Sequence, residues 1–234
     1  HLVNVLFHLT NAILLYFILK TIFSLLPRRF LSSNDRLIPF YSTLLWLAHP
    51  LHTQSVNYIV QRMNSMATMF FLLALFFFLR ARTSENIGQS RILFACSFLT
   101  GVIAFFSKEN AATLPVFIFL SEWFFFQDLS FKWIKRNYLV ILAVVVVMSV
   151  LSIWFLGNHP LQRILGGYSF RDFTLGQRVL TQFRVVILYM SLVIFPHPFR
   201  LNLDHDFPLS YSLIDPITTI ISMMLIFFLI GFAI

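Results

Sequence analysis

The chain has 234 residues, of which 59% are apolar and only 11% charged, and its mean hydropathy is +0.82. Soluble globular domains carry about 25% charged residues, so this composition excludes a soluble domain with a polar shell. The net charge is +8, but the basic residues stand in short loops between apolar runs rather than on an exposed polar face, which excludes a nucleic-acid partner.

Eight apolar segments follow one another along the chain and predict an all-α fold. Their Leu, Phe and Val runs lack the period of two that membrane-spanning barrel strands show. The segments occupy 2–26, 38–48, 66–79, 92–106, 111–126, 138–156, 179–195 and 217–234. A helix needs about 20 residues to cross a membrane, so we expect the short second and third segments to extend into their flanks. The sequence therefore predicts a polytopic helical membrane protein, a single transmembrane domain over 1–234 with about seven to eight membrane segments.

The distribution of basic residues predicts the orientation of the segments. Ten of the 17 basic residues flank the first, third and fifth loops, and basic loops stay on the cytoplasmic side of a membrane. Arg62 and Lys108 then face the outside. If the seventh segment spans, the acidic loop 200–216 lies inside and Arg184 lies at mid-bilayer, which costs about 2.5–3.5 kcal/mol. A re-entrant or interfacial helix avoids both, and this is the interpretation we favour.

The most polar stretch between two apolar runs begins at His49 and ends at Asn64. One interpretation is a polar lid over a site, in which Arg62 binds an anion and a histidine moves a proton. The other is an interfacial turn whose polar groups meet lipid headgroups. His49 and His52 lie three residues apart, but without further ligands this spacing predicts no metal site. The single Cys96 excludes a cysteine-based metal site as well.

Three further groups of polar residues are candidates for chemistry. Lys108 suits a phosphate as a compact point charge, whereas a self-paired turn of Lys108 and Glu109 needs no ligand. The outer loop 157–178 carries three arginines, which suit either a lipid phosphate or anionic headgroups in general. Asp204 and Asp206 have a spacing that can hold a hard cation through carboxylate oxygens, although the pattern is short and common by chance.

Taken together, these motifs resemble the signatures of bacterial multi-spanning membrane proteins with C-terminal tetratricopeptide repeats. HPLHTQSV at 49–56 and YIVQRM at 58–63 resemble the outer-loop signature of this group. SKEN at 107–110, with the Leu-Pro at 114–115, resembles its second signature. LNLDHD at 201–206, with 208–210 and 215–216, resembles its third. Residues 1–4 and 8–12 fit as well, so the resemblance covers nearly the whole chain. The group is similar to the eukaryotic transmembrane and tetratricopeptide-repeat O-mannosyltransferases, and more distantly to the protein mannosyltransferases.

The resemblance implies a GT-C glycosyltransferase fold in the bacterial inner membrane. Such enzymes take a sugar from a polyprenyl-phosphate donor in the membrane and transfer it to a protein or glycan acceptor on the outer face. The catalytic acidic residue is expected in a first outer loop that, with the first span, precedes His1, and the repeats are expected after Ile234. The substrate-binding residues expected within the chain are Arg62, Lys108, Glu109, His49, His52, Asp204 and Asp206.

Within that mechanism, Arg62 and Lys108 would contact the lipid phosphate, and His49 and His52 would shape the site or donate hydrogen bonds in it. The two aspartates would lie on the acceptor side. No cofactor is predicted, and a divalent cation has only the Asp-x-Asp pattern in its favour. The alternative function is a non-catalytic membrane scaffold that presents the repeats to partners. A lipid or polysaccharide transporter is disfavoured, because few ionisable residues lie within the spans.

Overall fold

The computed structural model describes residues 1–26, 35, 37–156, 166, 168, 171–201 and 207–233. These residues form helices joined by turns, and they contain no strand. The α-helices are α1 (Leu2–Leu25), α2 (Ile38–Leu47), α3 (Thr53–Asn57), α4 (Arg62–Thr83), α5 (Ile87–Ser107), α6 (Leu114–Ser121), α7 (Phe131–Arg136), α8 (Tyr138–Leu156), α9 (Leu175–Ile194) and α10 (Thr218–Ala233). Shorter helical turns are the 3-10 turns Pro50–His52, Ile59–Gln61, Glu109–Thr113 and Pro198–Arg200 and the π-helical turn Glu122–Phe126.

Helices of membrane-spanning length confirm the all-α prediction and an integral membrane protein. Within the described ranges, four stretches are long and apolar enough to cross a membrane, namely Leu2–Leu25, Ile59–Thr83, Ile87–Ser107 and Leu175–Ile194. Shorter apolar helices are Ile38–Leu47, Tyr138–Val150 and Thr218–Phe232. The predicted count of seven to eight membrane segments is not confirmed, and the single domain over 1–234 stays a prediction.

The two short apolar segments differ in outcome. The third does extend into its flanks, because α4 covers Arg62–Thr83. The extension predicted for the second segment is wrong, since α2 has only 10 residues. Pro39 stands in its first turn, where proline is tolerated, and Pro50 keeps His49 in an extended conformation just beyond its end. Prolines therefore limit α2 on both sides.

The chain divides into two compact units, His1–Trp133 and Ile134–Ile234. In the first unit α4 packs against both α5 and α1, and α2 packs against α1. The core of this unit consists of Ile18 from α1 with Leu75, Phe78 and Leu79 from α4. Short connections make α4, α5 and α6 run alternately up and down, so their ends gather at two opposite ends of the unit.

Small residues bring α4 and α5 close together. Ala74 on α4 and Ala104 on α5 are fully buried, and the Ser97 hydroxyl donates to the Ala74 carbonyl across the interface at 2.8 Å. A Cβ atom added at Gly101 would lie 2.9 Å from Cδ2 of Leu114, so the glycine leaves room for the side chain of Leu114 on α6. Close packing through small residues with an interhelical hydrogen bond is typical of membrane helices.

A two-point ion pair joins α4 to the chain that follows α6. Nε and Nη2 of Arg82 donate to Oε2 and Oε1 of Glu122 at 2.7 and 2.9 Å, and the guanidinium lies 4.7 Å from the ring centre of Phe126. Nε2 of Gln127 donates to Oε1 of the same carboxylate at 2.7 Å. Glu122, an acidic residue within the apolar segment 111–126, is thus neutralised by Arg82. The sequence predicted for Arg82 only a role in the orientation of the segments.

In the second unit, the loop before α10 packs beside α9. The Arg184 guanidinium donates to the Pro208 carbonyl at 2.9 Å and to the Ser210 hydroxyl at 3.3 Å, and it lies 4.7 Å from the ring centre of Phe207. The buried Ser210 backbone N–H also donates to the Thr181 hydroxyl at 2.9 Å. These contacts lie in the N-terminal half of α9, so the loop returns past the helix instead of remaining beyond Ile194.

The seventh segment forms one unbroken helix, α9, of 20 residues, which is long and apolar enough to span. Its re-entrant or interfacial placement stays a prediction. The loop supplies Arg184 with acceptors and an aromatic face, which offsets the cost of a charge within the helix. The loop reaches the N-terminal half of α9, and the helix has no break there.

We expect the Arg82–Glu122 pair to contribute to stability through coupling between the two residues. The pair is bidentate and only partly exposed, with 34% and 16% of the side chains accessible, so a double-mutant cycle of Arg82→Gln and Glu122→Gln should give about 1–2 kcal/mol. The free energy of unfolding in detergent micelles measures it. The exposed Arg91, which has no partner within the described residues, is the control, and Arg91→Gln should leave stability unchanged. Strictly additive effects of the two substitutions would contradict the prediction.

Candidate functional site

One end of the first unit collects most of the polar side chains that the sequence singles out. Here α1 and α4 begin and α2 and α5 end, so residues far apart in the chain meet. Nε2 of His8 lies 3.0 Å from the Leu47 carbonyl, and the Lys108 ammonium contacts the side chain of Asn64. We call residues 4–11, 46–65 and 107–110 the polar end. Five of the predicted site residues lie here, namely His49, His52, Arg62, Lys108 and Glu109.

Lys108 is held by an amide and not by a carboxylate. Its Nζ donates to Oδ1 of Asn64, and Nδ2 of Asn64 donates in turn to Oε1 of Gln61. The self-paired turn of Lys108 and Glu109 is not found, because Glu109 is exposed and has no partner within the described residues. Among the described residues, no carboxylate therefore offsets the charge of the ammonium.

Arg62 is the first residue of α4, and its side chain is exposed. Among the described residues it has no hydrogen-bond or ion-pair partner. Its neighbours Ile59, Val60 and Met63 are exposed apolar residues, Val60 to 87%. The backbone N–H groups and the dipole at the start of a helix favour an anion. Arg62 thus presents a free cation at a helix N-terminus, next to apolar side chains that face outward.

Three histidines and a tryptophan form an aromatic cluster at the polar end. The ring of Trp46 lies 5.1 Å from that of His8 and 4.3 Å from that of His52, measured between centroids. The His52 ring is also 5.1 Å from His8 and 6.2 Å from His49. His52 is thus enclosed by α1, by the end of α2 and by its own turn, which makes it the central residue of the cluster.

Hydrogen bonds indicate how the neighbouring histidines are protonated. A carbonyl only accepts, so Nε2 of His8 carries the proton that it donates to Leu47. Nδ1 of His49 accepts a hydrogen bond from the Leu51 N–H at 3.3 Å. Burial, followed by the repulsion of His8 and His49, lowers the pKa of His52 from 6.5 to about 4. The cluster is thus arranged for a neutral His52 at neutral pH.

Two buried asparagines of α1 hold the segment that carries the site. Nδ2 of Asn4 donates to the carbonyls of Val56 and Tyr58 at 3.2 and 3.0 Å, and Nδ2 of Asn11 donates to the Ser65 carbonyl at 3.1 Å. Asn4 is 1% exposed and Asn11 is 3% exposed. Both residues lie in the motifs at 1–4 and 8–12, but those motifs predict no role for them. Asn4, His8 and Asn11 have i, i+4, i+7 spacing, which places them on one face of an apolar helix and could have revealed them.

The remaining predicted residues are not part of this assembly. Asp204 and Asp206 lie outside the described residues, as does Arg163 of the outer loop. Arg171 and Arg178 of that loop stack on Tyr168 in the second unit, at 5.3 and 5.9 Å from the ring centre. Within the described ranges, no group of three or more His, Cys, Asp or Glu side chains has the arrangement of a metal site.

Comparison with known proteins gives partial similarities to O-mannosyl-transferases. The chain is 31% identical over 121 residues to protein O-mannosyl-transferase TMTC1 of Mus musculus, a match that covers 49% of this chain and 12% of the relative. The Homo sapiens TMTC1 is 30% identical and Mus musculus TMTC4 28% identical, each over 121 residues and 49% of this chain, with 13% and 16% of those relatives covered. No family model and no solved structure matches. The match spans about an eighth of the relatives' length and about half of this chain, so it supports relatedness over that part only.

Acidification should destabilise the polar end through His52. Above pH 6.5 the ring is neutral in both folded and unfolded chains, and between pH 6.5 and about 4 only the unfolded chain binds the proton. Stability should therefore fall as the pH drops through this window, by about 1–2 kcal/mol once the partial exposure of the ring is allowed for. Unfolding measured from pH 7 to pH 4.5 tests this.

The variant His52→Phe should flatten that pH profile, because it keeps an aromatic ring and removes the titrating group. His197 is an exposed histidine in the second unit, and His197→Phe should leave the profile as steep as in the wild type. A wild-type profile that does not change between pH 7 and pH 4.5 would show that His52 is not held neutral by the fold.

Proposed function

We propose that this chain is the membrane part of a glycosyltransferase that moves a sugar from a polyprenyl-phosphate donor to an acceptor hydroxyl on the outer face of a bacterial inner membrane. The observation that carries the proposal is the pair of cations at the polar end, Arg62 and Lys108. Neither has a carboxylate partner among the described residues. The partial similarity to proteins named O-mannosyl-transferase supports sugar transfer as the chemistry.

The chemistry of the two cations suits a phosphate group. A guanidinium offers a planar pair of donors that matches phosphate oxygens, and an ammonium offers a compact charge with three N–H groups. One N–H of Lys108 is used on Asn64, which leaves the others for a ligand. Arg62 adds its charge at the N-terminus of a helix of 22 residues. A phosphate monoester or diester is thus the ligand class that these groups favour.

The apolar surroundings of Arg62 favour a lipid-linked phosphate over a soluble one. Ile59, Val60 and Met63 are exposed next to it, at the start of a stretch long and apolar enough to span a membrane. A polyprenyl chain can lie against these side chains while its phosphate meets the guanidinium. A water-soluble sugar phosphate would gain nothing from this apolar rim.

The proposed reaction is a direct displacement at the anomeric carbon of the donor. The acceptor oxygen forms a bond to that carbon while the bond between the carbon and the phosphate oxygen breaks, and the phosphate leaves with the electron pair. Lys108 and Arg62 stabilise the charge that develops on the leaving phosphate. The acceptor proton goes to a carboxylate, which we expect before His1 by analogy with the O-mannosyltransferases.

The other predicted residues have supporting roles in this proposal. His49 and His52 shape the floor of the site through their cluster with Trp46, and the exposed Glu109, which follows Lys108 in the chain, remains proposed as a substrate-binding residue. Asp204 and Asp206, which lie outside the described residues, remain proposed for the acceptor side. A protein or glycan acceptor, tetratricopeptide repeats after Ile234 and the absence of any nucleic-acid partner complete the proposal.

We expect Lys108→Ala and Arg62→Ala each to reduce sugar transfer by about 10²–10³-fold, because each removes a donor from the leaving phosphate. The measurement is transfer from a lipid-linked donor by the full-length protein in native membranes. Arg91→Ala, which removes an exposed cation from the start of α5 at the other end of the first unit, is the matched control and should transfer at the wild-type rate.

Wild-type rates in both polar-end variants would show that these two cations do not bind the donor phosphate. If the wild-type protein transfers no sugar but its repeats capture partners, the chain is a non-catalytic scaffold and the proposal is wrong as a whole.

A further inference from the structure

The link between Lys108 and Gln61 has a direction that the chemistry of the groups determines. An ammonium only donates hydrogen bonds, so the Asn64 atom that faces it is the carbonyl oxygen. The Asn64 amide nitrogen then faces Gln61, whose Oε1 accepts from it. Both hydrogen bonds of the link pair a donor with an acceptor, and the orientation of both amides follows from the positive charge of the lysine.

The backbone of Asn64 is well anchored, whereas the stem of Lys108 is flexible. Asn64 lies in the first turn of α4, and its carbonyl accepts from the Thr68 hydroxyl at 2.9 Å. The next residue, Ser65, is buried and accepts from Asn11 at 3.1 Å. A lysine side chain has a flexible four-carbon stem and loses rotamer entropy when it is fixed. The anchored amide therefore determines where the ammonium is held.

A neutral partner differs from a charged one in what it leaves for a ligand. A carboxylate at position 64 would form an ion pair with Lys108, neutralise its charge and repel an incoming phosphate. The carboxamide has the same shape and makes the same hydrogen bond, but it leaves the net charge of the ammonium unchanged. Within the described residues, no acidic side chain contacts Lys108.

We propose that Asn64, oriented by Gln61, is a positioning residue that aims the Lys108 ammonium at a phosphate ligand while leaving its positive charge uncompensated. The identity of the ligand rests on the proposed function, whereas the hold of Asn64 on the ammonium does not. Gln61 and Asn64 are not substrate-binding residues in this proposal, because they act through Lys108.

The first experiment reads the hold on Lys108 directly and needs no substrate. The chain has four lysines, so trace acetylation of the full-length protein in nanodiscs, followed by mass spectrometry, compares Lys108 with Lys20, Lys132 and Lys135 as internal references. Asn64→Ala should raise the relative labelling rate of Lys108 about threefold or more, because it releases the amine. Asn64→Asp should lower that rate, because a carboxylate favours the unreactive ammonium form.

The second experiment measures the binding of undecaprenyl monophosphate, as the probe, to the same nanodiscs. Asn64→Asp and Asn64→Ala should each weaken binding about 10-fold, the first by neutralising the ammonium and the second by releasing it. Gln61→Ala should act in the same direction with a smaller effect. Asn86→Asp is the matched control, because Asn86 caps α5 at the other end of the first unit and aspartate caps equally well.

The outcomes separate this inference from the proposed function. Unchanged Lys108 labelling in both Asn64 variants would show that Asn64 does not hold the ammonium, and the inference would be wrong. Altered labelling with unchanged probe affinity would show a structural contact with no role in phosphate binding, which also contradicts it. If the wild type and Lys108→Ala bind the probe equally, the phosphate site of the proposed function is wrong. The role of Asn64 in aiming the ammonium at a phosphate is then wrong as well. The labelling would still report the contact between Asn64 and Lys108.

Discussion

The polar end depends on hydrogen bonds that α1 donates to the backbone of the segment between α2 and α4. This segment consists of short turns, and its carbonyls cannot all be paired within it. Asn4 reaches two of them, His8 reaches Leu47 and Asn11 reaches Ser65. In a bundle with an apolar exterior, unpaired backbone groups are costly, so a side chain from a neighbouring helix must pair with them. This face of α1 thus holds the backbone on both sides of the start of α4.

The position of α4 in turn determines the chemistry of the site. Arg62 and Asn64 lie in its first turn, and Lys108 reaches Asn64 from the end of α5. The close contact between α4 and α5 through Ala74 and Ser97 fixes their relative height, so the two polar motifs, more than 40 residues apart, meet at one level. Packing of small residues in the core of the unit therefore positions charged groups at its end.

The two ends of the first unit differ in whether a basic side chain is paired with a carboxylate or with a neutral amide. At one end Arg82 forms a two-point ion pair with Glu122, supported by Gln127, and its charge serves packing. At the polar end Lys108 contacts only a neutral amide within the described residues. A compensated charge stabilises the fold and attracts little from outside, whereas an uncompensated charge attracts an anion. The difference between a carboxylate and a carboxamide as partner thus separates a structural residue from a binding residue.

Much of the fold was predictable because the thickness of the membrane sets both the length of an apolar run and the length of the helix that it forms. The helices α1, α5 and α8 follow the predicted apolar segments closely, and the residue types of the site, Arg62 and Lys108, stood out because charges are rare in this chain. The length of α2 was not predicted correctly, because proline at 39 and 50 acts on the backbone locally and overrides the need for a longer span.

Local pattern alone therefore establishes an all-helical membrane chain, the approximate positions of its apolar helices and the few charges that require an explanation. It cannot say which partner a charge finds, because Asn64 and Lys108, Arg82 and Glu122, and Arg184 and Ser210 are between 26 and 44 residues apart in the chain. Residues so far apart in the sequence come into contact only when the helices pack, and packing depends on the side-chain shapes of several helices at once. The fold thus decides that Lys108 meets an amide, that His52 is enclosed by two other histidines, and that the loop after α9 returns to Arg184.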